Sequence, residues 1–533
     1  MTIPNEKLGD MKIIAYLCSA FAAWLLMACT APQQEATGTF LNPILAGDYP
    51  DPTVVRVDSD YYMTHSSFCY MPGLTVLHSR DLVHWEPLGA ALNEYLGAVW
   101  APDISYCNGR YWIYFTVDSS VLGIGEHPYA TWMVSAERPE GPWSKPVKLE
   151  TGHWIDPCHV ADAASGERWL FLSGGYRIRL NAEGDATVGE LEKVYDGWPI
   201  PEGWAYEGFA LEGPKVRRVG DWWYMLSAEG GTAGPPTAHM AVVARAAQLE
   251  GPWQNMPRNP LVHTYGWDET WWCRGHASLI DTPSGAWWLV SHGYLKDYVG
   301  LGRQTLLEPI TWDAAGWPVA PLGAGIDQPI KSPDTGTAAQ PRETETPTCE
   351  TQERSRRLGE WRIGEDWRFY KAYDTARIVN RHDGALTLRA RGTTPADGSP
   401  LLCIAGSETY EMQVKVTLRG DVQAGLLGFY DERFYAGIGY DRQGRFSWRR
   451  GAARARSDME GPATIWLRLR NEHQILTGWY STDGEHWDRQ TWGYEVSGYN
   501  HNTAGGFMSL LPGIVVTGEG EATFEELKIL IDN

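Results

Sequence analysis

The sequence predicts an all-β protein, a five-bladed β-propeller followed by a C-terminal β-sandwich. Two observations carry this. A turn followed by a short aromatic strand recurs five times, as SDYYMTHSS (59–67), NGRYWIYFT (108–116), SGERWLFLS (165–173), GDWWYMLSA (220–228) and SGAWWLVSH (284–292). Beyond Ile330 the composition changes to SPDTGTAAQPRETETPT (332–348), after which apolar and polar residues alternate.

Offsets of roughly fifty to sixty-five residues between the repeats suit one four-stranded blade each. GPW recurs at 141–143 and 251–253 as related punctuation. An irregular sandwich would not explain a fivefold copy number. The Pro/Thr-rich stretch reads as a linker. Behind it, YEMQVKVTL (410–418) and TIWLRLRN (464–471) alternate as half-buried strands do, and Asp483-Gly484 supplies a hairpin turn. The expected organisation is a leader over 1–29, a tether over 30–40, a propeller over 41–331, a linker over 332–356 and a sandwich over 357–533.

The leader is read from Met11-Lys12 followed by IIAYLCSAFAAWLLMAC, an apolar run too short to span a membrane with small residues near its end. Leu26-Met27-Ala28-Cys29 resembles a bacterial lipobox, which makes Cys29 the expected lipidation site. A secreted lipoprotein of the bacterial cell envelope, at the outer membrane or in the periplasm, is the expectation. The membrane would be touched only through the lipid. Six cysteines follow (Cys69, Cys107, Cys158, Cys273, Cys349, Cys403), scattered without a metal pattern, and their pairing stays open.

A net charge of −21 argues against nucleic acid, whose phosphates require clustered Lys and Arg. There is no C-x-x-C pair, H-E-x-x-H or Gly-rich phosphate loop, so zinc and nucleotide chemistry have no motif here. The distinctive number is 27 Trp and 26 Tyr against 12 Phe. Trp and Tyr combine a flat apolar face with a hydrogen-bonding edge, which stacking on a sugar ring requires; aromatic-rich β-structure also packs its core this way.

Glycoside hydrolysis needs one carboxylic acid to protonate the leaving oxygen and one carboxylate to activate water. Four acids stand in aromatic or Pro/Gly settings, each ahead of one of the first four repeated strands. They are Asp51 in GDYPDPTVV, Asp103 in WAPDIS, Asp156 in WIDPCHV and Glu212 in LEGPKV. Blades of a propeller would aim such groups at one axial pocket. Asp48 and Glu207 lie close to two of them and compete for the same roles.

From Asn42 to about Ile330 the chain resembles glycoside hydrolase family 43. NPILAGDYPDP, SRDLVHW (79–85), WAPD (100–103), IDP (155–157), EGP (212–214), AEGGT (228–232), GHASLID (275–281) and GRQT (302–305) carry the resemblance in order. It implies a five-bladed propeller, which the repeat count supports independently, and inverting hydrolysis of arabinofuranosyl, arabinan or xylosyl linkages. It implies Asp51 as general base, Glu212 as general acid and Asp156 as the third carboxylate, whose charge would keep Glu212 protonated. Arg303 of GRQT would contact sugar hydroxyls with its planar fork of donors, and Trp100 would be a stacking wall. His276, Thr232 and Phe68 complete the expected substrate-binding set, and Asp103 is expected either to bind substrate with them or to support the groups that do. No cofactor is required. A structural calcium ion near His276 is compatible with the resemblance, although calcium prefers oxygen ligands.

The concanavalin-like sandwich, down to GEGEATFEEL (518–527), resembles the accessory domain of the family's exo-acting xylosidases. In those relatives one of its loops approaches the pocket. The expected function is therefore an exo-acting β-xylosidase on xylo- or arabino-oligosaccharide. An α-L-arabinofuranosidase on the same scaffold is the alternative, and Ile155 stands where the xylosidase branch often carries an aromatic residue. An endo-arabinanase fits less well, since it needs an open groove. Outside enzymology, the competing reading is a glycan-binding lipoprotein. Trp466, Trp479 and Trp487 are expected in the sandwich core, with a sugar-binding face as the alternative.

Overall fold

Five antiparallel sheets follow one another along the first part of the chain, each an up-and-down meander. Their first strands are Thr53–Val57, Ala98–Cys107, Cys158–Ala161, Glu212–Val219 and Trp271–Asp281. Each packs against the first strands of the two neighbouring sheets, and the fifth returns to the first, so the five close a ring. This is a five-bladed propeller with its first strands at the axis. The computed structural model describes residues 38–123, 128–335, 347–454, 461–491 and 493–532. The leader and Cys29 lie outside the described residues.

The five sequence repeats become the second strand of each blade, among them Asp60–Thr64, Arg110–Asp118 and Trp287–Leu295. The local reason is clearest in blade two. Asn108 and Gly109 both take positive φ (53° and 73°), and Cys107 pairs with Arg110 across them, the geometry a two-residue hairpin needs. The ring is fastened by the segment before Asp51. Asn42 Nδ2 donates to the carbonyls of Leu307 and Ile326, while Ile44 N and Tyr49 N donate to Thr305 and Arg303 of blade five.

The C-terminal region is built on two long strands, Thr409–Phe429 and Leu511–Asp532, paired from end to end with one shift near Gln413. Met412, Val414, Val416 and Leu418 are buried while Glu411, Gln413 and Lys415 are not, which is the alternation expected of a sandwich layer. The propeller contributes to this sheet: Tyr70–Met71, from blade one, pairs with Trp367–Tyr370. Phe68, Cys69, Tyr70 and Ala98 belong to the same apolar core as Phe369, Leu401 and Phe429. Residues from Phe40 onward accordingly form one compact unit.

Two expectations need correction. The end of the expected linker is a helix, Pro347–Leu358, because ETQERSRRL is a run of good helix formers. It is tied to the sandwich through Ser355 Oγ, which accepts from Ile531 N. Trp466, Trp479 and Trp487 are not core residues. Ile465, Leu467 and Leu469 point inward, leaving Trp466 outward and in phase with Arg468 and Arg470. Arg468 covers the Trp487 ring at 4.0 Å and Lys415 lies over Trp466. Cys69, Cys107, Cys158, Cys273 and Cys403 are all free.

Candidate active site

The starts of the five inner strands converge on the axis, and the sequence-selected carboxylates sit there. Asp51 and Asp156, each just ahead of an inner strand, take positive φ (55° and 57°), as does His276 (47°). Left-handed backbone at non-glycine residues is costly and persists where the surroundings enforce it. Here it turns both carboxylates out of their strand ends and toward the axis.

Asp51 is buried and fully engaged. Arg303 Nη1 donates to Oδ1 at 2.6 Å and Ser66 Oγ to Oδ2 at 2.5 Å, while the Asp51 amide donates to His292 Nδ1 at 3.0 Å. His276 Nδ1 lies 3.4 Å from Oδ1. Burial alone would push this carboxyl up; the charge of Arg303, joined by His276 and His292 only at pH low enough to charge them, outweighs it and holds Asp51 well below the usual carboxylate range. Burial also drives His276 down to about 3 and His292 to about 4. Both imidazoles are therefore neutral near pH 7, and Arg303 is the cation that keeps Asp51 ionised.

Glu212 is the opposite case. Its carboxyl has no hydrogen-bond partner among the described residues and keeps part of its surface accessible. Burial raises it well above the usual range, with the charges of Asp156 and then Asp51 adding to the effect. Asp156 Oδ2 accepts from the Gly213 amide at 3.0 Å, which places it directly beside the acid. Asp156 is itself raised to about 7, by burial and then Asp51. The charge of Asp156 therefore works against ionisation of Glu212. Gly213 (φ 55°) packs on His276 so closely that a Cβ there would fall 2.8 Å from Cε1. The His276 ring thus stands between Asp51 and the Glu212–Gly213 turn.

The wall above Arg303 comes from the sandwich. Its guanidinium carbon is 5.7 Å from the ring of Phe507, in the sandwich, and 5.8 Å from that of Phe68, in the propeller. Phe507 stacks on His501 at 3.9 Å and meets Trp100 edge-on at 6.0 Å. Leu510 N donates to Gly300 O and Tyr70 Oη to Ser509 O, fastening this segment to the propeller. Sequence reasoning did not single out Phe507, His501, His292 or Ser66. His292 ends the fifth repeat copy and Ser66 lies one residue before the end of the first, a signal that was present; nothing local marks Phe507.

The structure brings Asp51, Asp156, Glu212, Arg303, His276, Phe68 and Trp100 together; two of the residues singled out in the sequence lie apart from them. Asp103 is no substrate-binding group. It lies deeper along its strand, where Oδ1 accepts from Thr53 Oγ1 and Lys215 Nζ (2.8 Å) and Oδ2 from His159 N. It joins blades one to four under the pocket. Lys215→Met would leave this carboxylate buried without its cation, and about 3–5 kcal/mol of stability is expected to be lost in denaturant unfolding. Thr232 is buried with its hydroxyl 3.5 Å from His239 Nδ1, and His239 stacks on His292, so Thr232 sits one ring removed from Asp51. Of the competing acids, Glu207 is taken up by Ala233 N, and Asp48 is buried against Gly302. A calcium ion beside His276 does not fit the donors present. The groups around it are imidazoles, the oxygens of Asp51 are occupied by Arg303 and Ser66, and the described residues hold no cluster of three or more metal-ligating side chains.

With this geometry in hand, comparison with known proteins is decisive. The model of the glycosyl hydrolases family 43 matches residues 40–318. The chain belongs to this family. Among curated relatives, it is 36% identical over 304 residues to a non-reducing end alpha-L-arabinofuranosidase of Bacteroides ovatus, covering 53% of this chain and 54% of that one. It is 31% identical over 307 residues to a beta-xylosidase of Bacillus subtilis, covering 52% and 56%. The chain thus spans little more than half the length of these relatives. Among solved structures, the family 43 protein BlXynB of Bacillus licheniformis superposes with a TM-score of 0.79 at 26% identity, over 93% of this chain and 100% of that one.

Proposed function

We propose that the protein is an inverting, exo-acting glycosidase that releases a terminal pentose, xylose in the first instance, from plant-type oligo- or polysaccharide. One observation carries this reading: in one axial pocket Asp51 is paired with Arg303, while Glu212 has no paired cation among the described residues and stands beside Asp156. Asp51, kept ionised by Arg303, takes a proton from the attacking water as its oxygen bonds to the anomeric carbon. Glu212, kept protonated by burial and by Asp156, gives its proton to the leaving oxygen as the glycosidic bond breaks. Asp156 acts on Glu212 and not on substrate. The wall of Phe507 and His501 supports an exo mode, since it stands over one side of the pocket. The arabinofuranosidase reading is favoured by the Bacteroides ovatus relative and stays as the second candidate.

Initial rates on aryl β-D-xyloside and aryl α-L-arabinofuranoside test the substrate. A xyloside rate at least tenfold higher is the expected result; the reverse keeps the chemistry and replaces the sugar. No activity on either, or on natural oligosaccharides, would favour a glycan-binding protein instead. The pH dependence of kcat/KM should be a bell. Its acid limb, set by protonation of Asp51, lies below the usual carboxylate range, and its alkaline limb, set by loss of the Glu212 proton, lies well above that range. Asp156→Asn removes the charge that holds the proton on Glu212, so the alkaline limb should move to lower pH.

We infer in addition that the leader exports the protein and that Cys29 carries a lipid. Cys29→Ser should then move the protein from the membrane fraction to the soluble one.

A further inference from the structure

Loops that lead into inner strands lie on the face where the carboxylates converge. Two of them differ from the rest in what they expose: Asp196–Leu211, leading into Glu212, and Thr264–Thr270, leading into Trp271. Tyr206 is 43% exposed, Phe209 44%, Tyr265 66% and Trp267 64%. Of the six aromatic side chains among the large exposed hydrophobics of the described residues, these loops hold four; Tyr106 and Trp222 are the others. Apolar area left in water near a pocket is a recognised mark of a binding surface.

These rings are held in place. Glu269 Oε1 accepts from Tyr265 N at 2.7 Å and Gly266 N at 2.9 Å, fixing the turn that presents Tyr265 and Trp267. Trp204 stacks on the buried His263 at 4.7 Å and meets Tyr265 at 6.0 Å and Trp198 at 6.0 Å, forming a base beneath Tyr265. Trp198 N is bonded to Glu229 Oε1 at 2.7 Å, and the Phe209 ring covers Gly197. Trp267 meets Trp272, at the start of the blade-five inner strand, at 6.3 Å. Anchored rings lose little freedom when a flat ligand lands on them.

Their position assigns the ligand. A general acid must face the leaving oxygen, so the leaving group lies on the Glu212 side of the pocket. Phe209 is three residues before Glu212 in the chain, whereas the sandwich wall stands on the Arg303 side. Glu202, Asp268 and Glu269 line the same two loops and disfavour an anionic chain.

We propose that Tyr206, Phe209, Tyr265 and Trp267 form a stacking shelf for the leaving-group side of a neutral glycan, binding pyranose rings beyond the one next to the scissile bond. This rests on the function proposed above, with Glu212 as acid. The preferred substrate is then a pentose carried on a chain, and a disaccharide leaves the shelf unused.

The test compares wild type, Tyr265→Ala and Trp267→Ala on an aryl pentoside and on neutral xylo-oligosaccharides from disaccharide to hexasaccharide. Both side chains are mostly exposed, and circular dichroism verifies folding. Wild-type kcat/KM should rise with chain length. Each variant should match wild type within about twofold on the aryl pentoside and lose about tenfold on the hexasaccharide through KM, the weight of one well-stacked ring. Variants equal to wild type on the hexasaccharide, or equally impaired on both substrates, would overturn the shelf. If wild type hydrolyses nothing, the function falls and the shelf is judged by calorimetry with xylohexaose. Affinity unchanged in Trp267→Ala then overturns it, and affinity lowered about tenfold upholds it.

Discussion

Glu212→Ala is expected to lower kcat/KM on an unactivated xylo-oligosaccharide by about a thousandfold, within the span of positioned proton donors. The reason is specific to this carboxyl. Burial and the neighbouring Asp156 keep it protonated, and no hydrogen bond in the described residues diverts its proton. The loss should shrink as the leaving group becomes more acidic, because an aryl group with a stable anion departs without help. Oligosaccharide and aryl rates measured on one preparation check this. A uniform loss on both would mean that Glu212 positions substrate and does not donate a proton.

Asp51→Asn should lower kcat by about a thousandfold on both substrate types, since activating water is needed whatever leaves. Asparagine keeps the shape, and its single carbonyl oxygen can still accept from Arg303 while its amide nitrogen turns donor toward Ser66 Oγ, but it cannot take a proton. The variant also leaves Arg303 buried without its counterion. Breaking such a pair costs roughly 3–5 kcal/mol, so the melting temperature should fall with the activity. Stability lost without activity would make the Asp51–Arg303 pair structural. Conversely, Arg303→Met should raise the Asp51 pKa, since burial then acts without its largest opponent, and the acid limb of the pH profile should move to higher pH.

The propeller was legible because each blade repeats one local event, a tight turn feeding an aromatic second strand. Asp51 and Asp156 were legible because proline follows each, and Glu212 because Gly213 and Pro214 follow it. What connects these groups was not. Arg303 meets Asp51 across 252 positions, a pairing fixed by the closure of blade five on blade one, and no local pattern encodes it. The same holds for Phe507, which reaches Arg303 only because the sandwich shares its sheet with Tyr70–Met71. Asp103 follows a proline as Asp51 does, but a position deeper in its strand, beside Lys215, makes it a strut. The outward tryptophans are different, for the phase of TIWLRLRN places Trp466 with the arginines, and that alternation was readable without coordinates.

The central claim, that Asp51 activates water while Glu212 releases the leaving group, is tested most directly by the configuration of the first sugar formed. Proton NMR during the first minutes of β-xyloside hydrolysis resolves the two anomers before mutarotation mixes them. The account predicts α-xylose first, with β-xylose growing in later. Initial β-xylose would mean that a carboxylate attacks the sugar itself, and would contradict the roles assigned to Asp51 and Glu212.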